Sequence, residues 1–438
     1  MFGSDVAVVG VGYVGLTTAV CLASLGHRVV CADVDQAKVS ALRRGESTIQ
    51  ESGLAELLAA GLAAGRLEFV LGASAAVSEA EVVFLCVPTP MAPDGAAELA
   101  MLESVVQELR GVLLPGSVVV NKSTVPVGTA VHVGELLNRA DVAVVSNPEF
   151  LREGSAVQDF LRPDRIVIGS ADPAAAERVA ALYERISGPV LLTDAASAEM
   201  IKYAANCYLA TRLSYVNSIA ELCERLGADV GDVTRGMGLD KRIGKSFLRP
   251  GPGWGGSCLP KDTRALLRST EAVGGDFPLL RAAIDTNVRQ RELVLDKVRQ
   301  AVGGRLAGVR IGLLGLTFKA GTDDLRGSPA LAIAELMAAE GADLAGYDPS
   351  VGGPVPGATD WVRVMETPYR AADGAAAMML LTEWPEFRTL DWRRIAGLLD
   401  GRSVIDTRNH LDPRVLRRAG LSCRGFGQPV RAGKVASP

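Results

Sequence analysis

One cysteine in this chain stands where chemistry is easily done. In Gly253-Trp254-Gly255-Gly256-Ser257-Cys258-Leu259-Pro260-Lys261-Asp262 it lies between a glycine-rich loop and a predicted helix start. Glycines turn the backbone through positive φ and let a substrate approach closely. Pro260 and the run Lys261 to Leu267 predict a helix opening, because proline is favoured in a first turn. A cysteine just before that opening feels the positive end of the helix dipole, and Lys261 adds a cation; both favour thiolate. Asp262 lies four residues on, where one helical turn can bring a carboxylate back toward the sulfur. The plainer alternative is a buried structural cysteine. The clustered glycines, proline and charges favour a nucleophile.

A second constellation lies at the front of the chain. The apolar run Asp5-Val6-Ala7-Val8-Val9 leads directly into Gly10-Val11-Gly12-Tyr13-Val14-Gly15. Leu16 to Leu25 then predicts a helix ending at Gly26, and His27 to Ala32 a second strand with Asp33 at its end. Strand, G-x-G-x-x-G, helix, strand and acid, in that order, predict a dinucleotide site. Gly10, Gly12 and Gly15 permit the tight turn and the approach of a pyrophosphate to the helix N-terminus. Asp33 can accept hydrogen bonds from a ribose diol and repels a 2′-phosphate, so NAD is expected rather than NADP.

Composition narrows the function classes. The 438 residues suffice for two or three domains with real cores. A net charge of −4 with interspersed signs gives no sign of a nucleic-acid partner. Seven scattered cysteines without C-x-x-C, and only three histidines (His27, His132 and His410), suggest neither a disulfide framework nor a metal site. Val6 to Gly26 is uncharged, but its four glycines and phosphate-binding turn argue against a membrane span. No Lys or Arg precedes the run, so a signal peptide is not expected either. A cytoplasmic protein with no membrane partner is the expectation.

An open α/β sheet is the scaffold that positions such residues. Val82 to Val87, Ser117 to Val120 and Val142 to Val145 read as further strands. They end in Pro88-Thr89-Pro90, in Asn121 to Gly128 with Thr124, and in Ser146 to Gly154 with Glu149 and Glu153. Ligands bind beyond the carboxyl ends of strands in such sheets, so these motifs are expected to share one crevice. Singly, each is an ordinary turn residue. Ser197 to about Leu226 predicts a long helix with Lys202 and Asn206 on one face, an i, i+4 pair whose spacing alone favours a solvated lysine and an ordinary polar contact. Such a helix between domains is a natural dimerisation surface. From Val309, the run Arg310 to Leu316 resembles a second opening strand without the glycine fingerprint. A helix from Pro329 to Glu340 follows it, and later strands end near Tyr347, Thr382 and Asp406. The expected fold class is α/β, with two doubly wound Rossmann-like domains joined by a long central helix or helical domain. The expected boundaries are 1–196, 197–300 and 301–438.

Taken together and in order, Gly10–Gly15, Cys86–Pro90, Ser123–Gly128, Asn147–Gly154, Lys202/Asn206, Gly255–Asp262, Gly315–Arg326 and Tyr347–Pro349 resemble the nucleotide-sugar dehydrogenases, the UDP-glucose/GDP-mannose dehydrogenase family. The resemblance spans nearly the whole chain. It implies four-electron oxidation of a sugar C6 alcohol to a carboxylate, using NAD twice, through a thiohemiacetal and a thioester on Cys258. Covalent capture retains a reactive aldehyde and divides a hard step into easier ones.

The resemblance also implies roles. Lys202 and Asn206 would stabilise oxygen-centred negative charge. Asp262 would manage protons around the thiol, Glu153 would be the base for thioester hydrolysis, and Thr124 and Glu149 would order water. Gly10, Gly12, Tyr13, Val14, Gly15, Asp33, Lys38, Pro88, Thr89, Thr124, Glu153, Lys261 and Arg326 would hold the cofactor. Glu149, Phe150, Leu151, Lys202, Asn206, Arg242, Phe247, Leu248, Gly255 and Lys319 would hold the nucleotide sugar, with Arg242 crossing to the second subunit of a homodimer. Asp240 to Leu248 resembles enzymes acting on UDP-glucose, and that is the expected substrate; GDP-mannose and thymidine-linked glucose are the alternatives. A catalytically silent nucleotide-sugar or NAD binder is the rival of another class. The intact set of Cys258, Lys202, Asn206 and Asp262 argues against it.

Overall fold

The computed structural model describes residues 3–428. They form two compact units. One holds the chain up to Ala205 together with Arg264–Gly275; the other holds Asn206–Thr263 and the chain from Asp276 onward.

The first unit is built on eight strands: β1 (Asp5–Val9), β2 (Arg28–Asp33), β3 (Leu67–Leu71), β4 (Val82–Leu85), β5 (Val118–Asn121), β6 (Ala143–Ser146), β7 (Ile166–Ser170) and β8 (Val190–Thr193). Their order in the sheet is β3-β2-β1-β4-β5-β6-β7-β8. Val, Ile and Leu fill the strands because helices cover both faces, so side chains are buried on both sides. Between β1 and β4 the winding reverses, which opens a crevice at the carboxyl ends of the strands. Strands β1 to β6 are parallel, but β6 and β7 pair antiparallel through Val145–Ser170 and Ser146–Gly169. The reversal follows from a connection that doubles back through the short helix Ala156–Leu161 instead of crossing over the sheet.

The second unit carries six parallel strands: β9 (Arg310–Leu314), β10 (Asp343–Tyr347), β11 (Arg363–Val364), β12 (Ala377–Leu380), β13 (Ser403–Asp406) and β14 (Ser422–Arg424). Their order, β11-β10-β9-β12-β13-β14, repeats the doubly wound pattern of β3-β2-β1-β4-β5-β6. The same unit contains most of the long helix Ala195–Leu226 and the helix Pro278–Val302. Among the described residues no helix is long and apolar enough to cross a membrane.

Two boundaries differ from the sequence expectation. The first helix begins at Tyr13 and ends at Ser24, because the fingerprint's last glycine already lies inside it. Strand β4 stops at Leu85 instead of Val87, where the chain approaches Pro88 and Pro90 and loses ladder donors.

Candidate active site

The three fingerprint glycines do different steric work. Gly10 has φ 92°, and a Cβ there would lie 2.7 Å from the Cys86 carbonyl oxygen. A Cβ on Gly15 would lie 1.8 Å from the Gly10 carbonyl oxygen, so this glycine lets the helix Tyr13–Ser24 press against β1. A Cβ on Gly12 would meet nothing within 4 Å. Its absence leaves an open cradle at the positive end of the helix, the shape and potential a dinucleotide pyrophosphate needs. Val14 is the second residue of that helix.

Asp33 ends β2 and faces this turn. Its carboxylate accepts from the amides of Val11 and Asp35, both at 3.0 Å, and from Lys38 Nζ at 3.2 Å. Burial pushes its pKa up, but the two amides and the Lys38 ammonium outweigh that and hold it below the usual carboxylate value. A permanently charged acceptor therefore sits where a ribose diol would arrive. Asp348 repeats the arrangement at the end of β10. It accepts from the amides of Leu316 and Thr317 at 2.7 and 3.0 Å.

The loops after β4, β5 and β6 are laced together. Ser123 Oγ donates to the Val87 carbonyl at 2.6 Å, and Thr89 Oγ1 donates to the Thr124 carbonyl at 2.8 Å. Thr89 is buried beside the exposed Pro88. A small cleft with room for about one water is lined by Asn121, Ser123, Thr124, Ser146, Pro148, Glu199 and Lys202. It brings Thr124 and Lys202 to the same opening.

Lys202 is buried and bonded to Glu149. Its ammonium donates to both the carbonyl and the carboxylate of Glu149, each at 2.7 Å. The Phe150 ring centroid lies 5.5 Å from the same nitrogen. The Leu151 amide donates to the other Glu149 oxygen at 2.6 Å. Burial raises the Glu149 pKa, yet the charge and hydrogen bond of Lys202, the Leu151 amide and Lys122 together hold it below its usual range. Glu153 sits half-buried in the turn before Ala156.

Several contributors carry no signal in the sequence. Glu199, one turn before Lys202, accepts from the amides of Gly128 and Ala130 at 2.6 and 2.9 Å and from Ser146 Oγ at 3.0 Å. It thereby caps the helix Thr129–Leu137 and ties the Lys202 helix to the loop of Thr124. Lys122 is buried behind Glu149, donating to Asn147 Oδ1 at 3.0 Å and to the Tyr183 hydroxyl at 3.4 Å.

In the second unit the cysteine loop is braced from below. Asn287 exchanges hydrogen bonds with the Trp254 backbone at 2.7 and 2.9 Å. Asn217 accepts from the Gly251 amide at 2.8 Å, and Gln290 donates to the Gly251 carbonyl at 2.8 Å. A Cβ on Gly255 would lie 2.1 Å from the Gly327 carbonyl oxygen, so only glycine allows this approach. The Gly256 amide donates to that same carbonyl at 3.0 Å.

Cys258 emerges from this loop immediately before the helix Leu259–Ala272, and it is exposed. Burial pushes the thiols of Cys21, Cys86, Cys207 and Cys423 up to about 12. Asp262, fully buried one turn on, accepts from Asn206 Nδ2 at 2.6 Å and from Lys261 Nζ at 2.7 Å. The Asp262 carboxylate thus fixes the Asn206 amide and engages the Lys261 charge. Lys202 and Asn206 lie one turn apart on the helix Ala195–Leu226.

The other expected residues make contacts of their own. Phe247 takes a left-handed backbone at φ 56°, unusual without glycine, beside the buried Leu248. Lys319 lies 5.4 Å over the Phe318 ring, which itself packs against Gly256. Arg326 forks onto Asp324 at 2.7 to 3.0 Å. Arg242 pairs with Asp240 at 2.6 Å while its side chain stays 89% exposed.

Family models match along the chain in three parts. These are the NAD binding domain over residues 4–187, the central domain over 196–289 and the UDP binding domain over 312–413 of the UDP-glucose/GDP-mannose dehydrogenase family. The chain is 44% identical to a UDP-glucose 6-dehydrogenase of Pseudomonas aeruginosa, covering 97% of this chain and 98% of the relative. It is 42% identical to a UDP-glucose 6-dehydrogenase of Rhizobium meliloti, covering 97% and 99%. Among solved structures, a UDP-glucose dehydrogenase from Pyrobaculum islandicum matches with TM-score 0.88 at 37% identity, over 98% of both chains. The protein belongs to the UDP-glucose/GDP-mannose dehydrogenase family.

Proposed function

We propose that the protein is an NAD-dependent UDP-glucose 6-dehydrogenase, oxidising the C6 alcohol of UDP-glucose to the carboxylate of UDP-glucuronate. The observation that carries this reading is an exposed thiol, Cys258, at a helix start one turn from the fixed Asn206–Asp262 pair. In this reading residues 1–196 hold NAD, 197–300 supply the thiol, and 301–438 hold the nucleotide. NAD, when bound, accepts the hydride at each of the two oxidations. The cradle at Gly12 and the Asp33 carboxylate suit its pyrophosphate and ribose.

The chain's own groups do the rest. Cys258 adds to the C6 aldehyde and so prevents its escape; after the second oxidation it carries the acid as a thioester. The Lys202 ammonium and Asn206 amide stabilise the oxygen that bears negative charge in both additions. Asp262 holds Asn206 in place and handles the thiol's proton. Glu153 takes a proton from the water that opens the thioester. Glu149 keeps Lys202 oriented, and Thr124 faces the cleft in which a water fits.

Tyr208, Tyr215 and Leu222 form an exposed heptad stripe on the long helix, extended by Leu226, and we assign it to a homodimer contact. An enzyme that depends on a reduced thiol suits the cytoplasm. The test is NADH formed from limiting UDP-glucose with excess NAD. About two per sugar is expected, because covalent capture delivers both oxidations. One per sugar means the aldehyde escapes. None redirects the assignment to GDP-mannose or thymidine-linked glucose.

A further inference from the structure

Glu51 lies in the segment before the helix Leu54–Ala63 and belongs to none of the motifs described above. Its carboxylate nevertheless joins two of them. One oxygen accepts the phenol proton of Tyr13, in the dinucleotide turn, and the Gly154 amide at 2.7 Å. The other accepts the Ala156 amide at 2.9 Å. The Gly154 amide also reaches the Tyr13 hydroxyl at 2.8 Å. Burial, then the hydrogen bond to Glu51, raise the Tyr13 pKa far above its usual value, so the phenol stays protonated and donates. Charge on Glu153 pushes it the same way, which puts that carboxylate within electrostatic reach.

The consequence is geometric. A peptide unit is planar, so holding the Gly154 N–H fixes the plane that leaves Glu153. Holding the Ala156 N–H fixes the first turn of the helix Ala156–Leu161, two residues later. Between them these bonds fix the backbone on the C-terminal side of Glu153, from which its side chain departs.

We infer that Glu51 is a positioning residue for thioester hydrolysis, a clamp that aims Glu153 from the cofactor turn. The inference rests on the reading of Glu153 as the base. In the step concerned, the water oxygen bonds to the acyl carbon and its proton passes to the Glu153 carboxylate. The C–S bond then breaks, Cys258 leaves as thiolate, and the acid is released. Glu153 takes no proton in either oxidation, so with NAD saturating, where any loss of cofactor binding through Tyr13 or Glu153 is masked, loosening the clamp should slow this step alone.

Glu51→Gln is the test. A glutamine has one acceptor oxygen and turns an NH₂ toward the other donors, so it cannot serve Tyr13, Gly154 and Ala156 together. At saturating NAD and UDP-glucose, the first-turnover NADH rate should stay within about twofold. Steady-state turnover should fall about ten- to a hundredfold, the scale of a 1 Å misplacement. Intact-protein mass spectrometry should then show the acyl-enzyme accumulating. Glu51→Asp, which keeps two acceptor oxygens, should hydrolyse faster than Glu51→Gln. Matching thermal melts would separate the effect from unfolding. A wild-type hydrolysis rate, or an equal loss in both phases, overturns the inference. Glu153→Gln run in parallel distinguishes the failures. If it accumulates acyl-enzyme and Glu51→Gln does not, the clamp alone is wrong; if it does not, the base assignment fails and the clamp with it.

Discussion

Lys202 is bonded twice to Glu149, through the backbone carbonyl and through the carboxylate, each at 2.7 Å and both groups buried. The relationship makes Glu149 the holder of the proposed oxyanion cation. Replacing it with Ala removes the counter-charge of a buried ammonium, and breaking a buried pair in this way typically costs about 3–5 kcal/mol. Glu149→Gln puts an amide oxygen in place of the carboxylate as acceptor and should cost less. Urea denaturation of the two variants against wild type measures both. Turnover of either should fall by about 10²–10³-fold, the usual loss when an oxyanion donor is displaced.

The same pair gives an acid limb. The Glu149 pKa is depressed on folding, so its contribution is present above the unfolded carboxyl pKa and is lost as pH falls through the lower folded value. Wild-type stability should therefore decline more steeply than that of Glu149→Gln as pH drops below the ordinary glutamate range. Parallel slopes for the two proteins would contradict the pairing.

Much of this was legible in the sequence because it is local. The glycine fingerprint, the acid after β2 and the cysteine before a helix each occupy a few consecutive residues, and their spacing dictates their geometry. The reversed pair β7–β8 was not legible, since a strand's direction depends on how its connection returns. Glu51, Glu199 and Asn287 were not legible either. Each acts on an amide 33 to 105 residues away in sequence, and no periodicity encodes such a partner. Lys122 stood in a quoted motif, yet nothing in its type or spacing said that its ammonium would be buried behind Glu149.

Cofactor choice should turn on Asp33. Its carboxylate engages Lys38 at 3.2 Å and would repel a 2′-phosphate. Asp33→Ser removes the repulsion and releases Lys38 to attract the added charge. The ratio of kcat/KM for NADP over NAD should rise by at least about tenfold, equivalent to about 1.4 kcal/mol. An unchanged ratio would show that discrimination lies elsewhere.

Cys258 should be the thiol that reagents find first. At pH 7 a thiol with a pKa of about 12, such as Cys21, Cys86, Cys207 or Cys423, is only about one part in 10⁵ thiolate. Brief alkylation followed by peptide mapping should label Cys258 well ahead of these four. Cys258→Ser should abolish acid formation, because an alkoxide is a far poorer leaving group than a thiolate. Full UDP-glucuronate production by that variant would falsify the thioester route.

Lys122 supplies a prediction of the same sign as Glu149, but in the alkaline range. Burial lowers its pKa from 10.5 to about 8, against partial compensation from Cys86 and Glu149. Between those values the unfolded chain binds the proton that the folded chain has released, so stability gains from this group as pH rises from about 8 toward 10.5. Lys122→Met keeps the length of the stem within the aromatic surroundings of Phe160 and Tyr183, and Tyr183 still donates to Asn147 Oδ1 at 2.6 Å. Denaturation of both proteins at pH 7.5 and pH 10 isolates the effect, because every other titrating group is common to the two. The stability difference, wild type minus variant, should increase over that interval. A constant difference would mean that Lys122 keeps its ordinary pKa despite its burial.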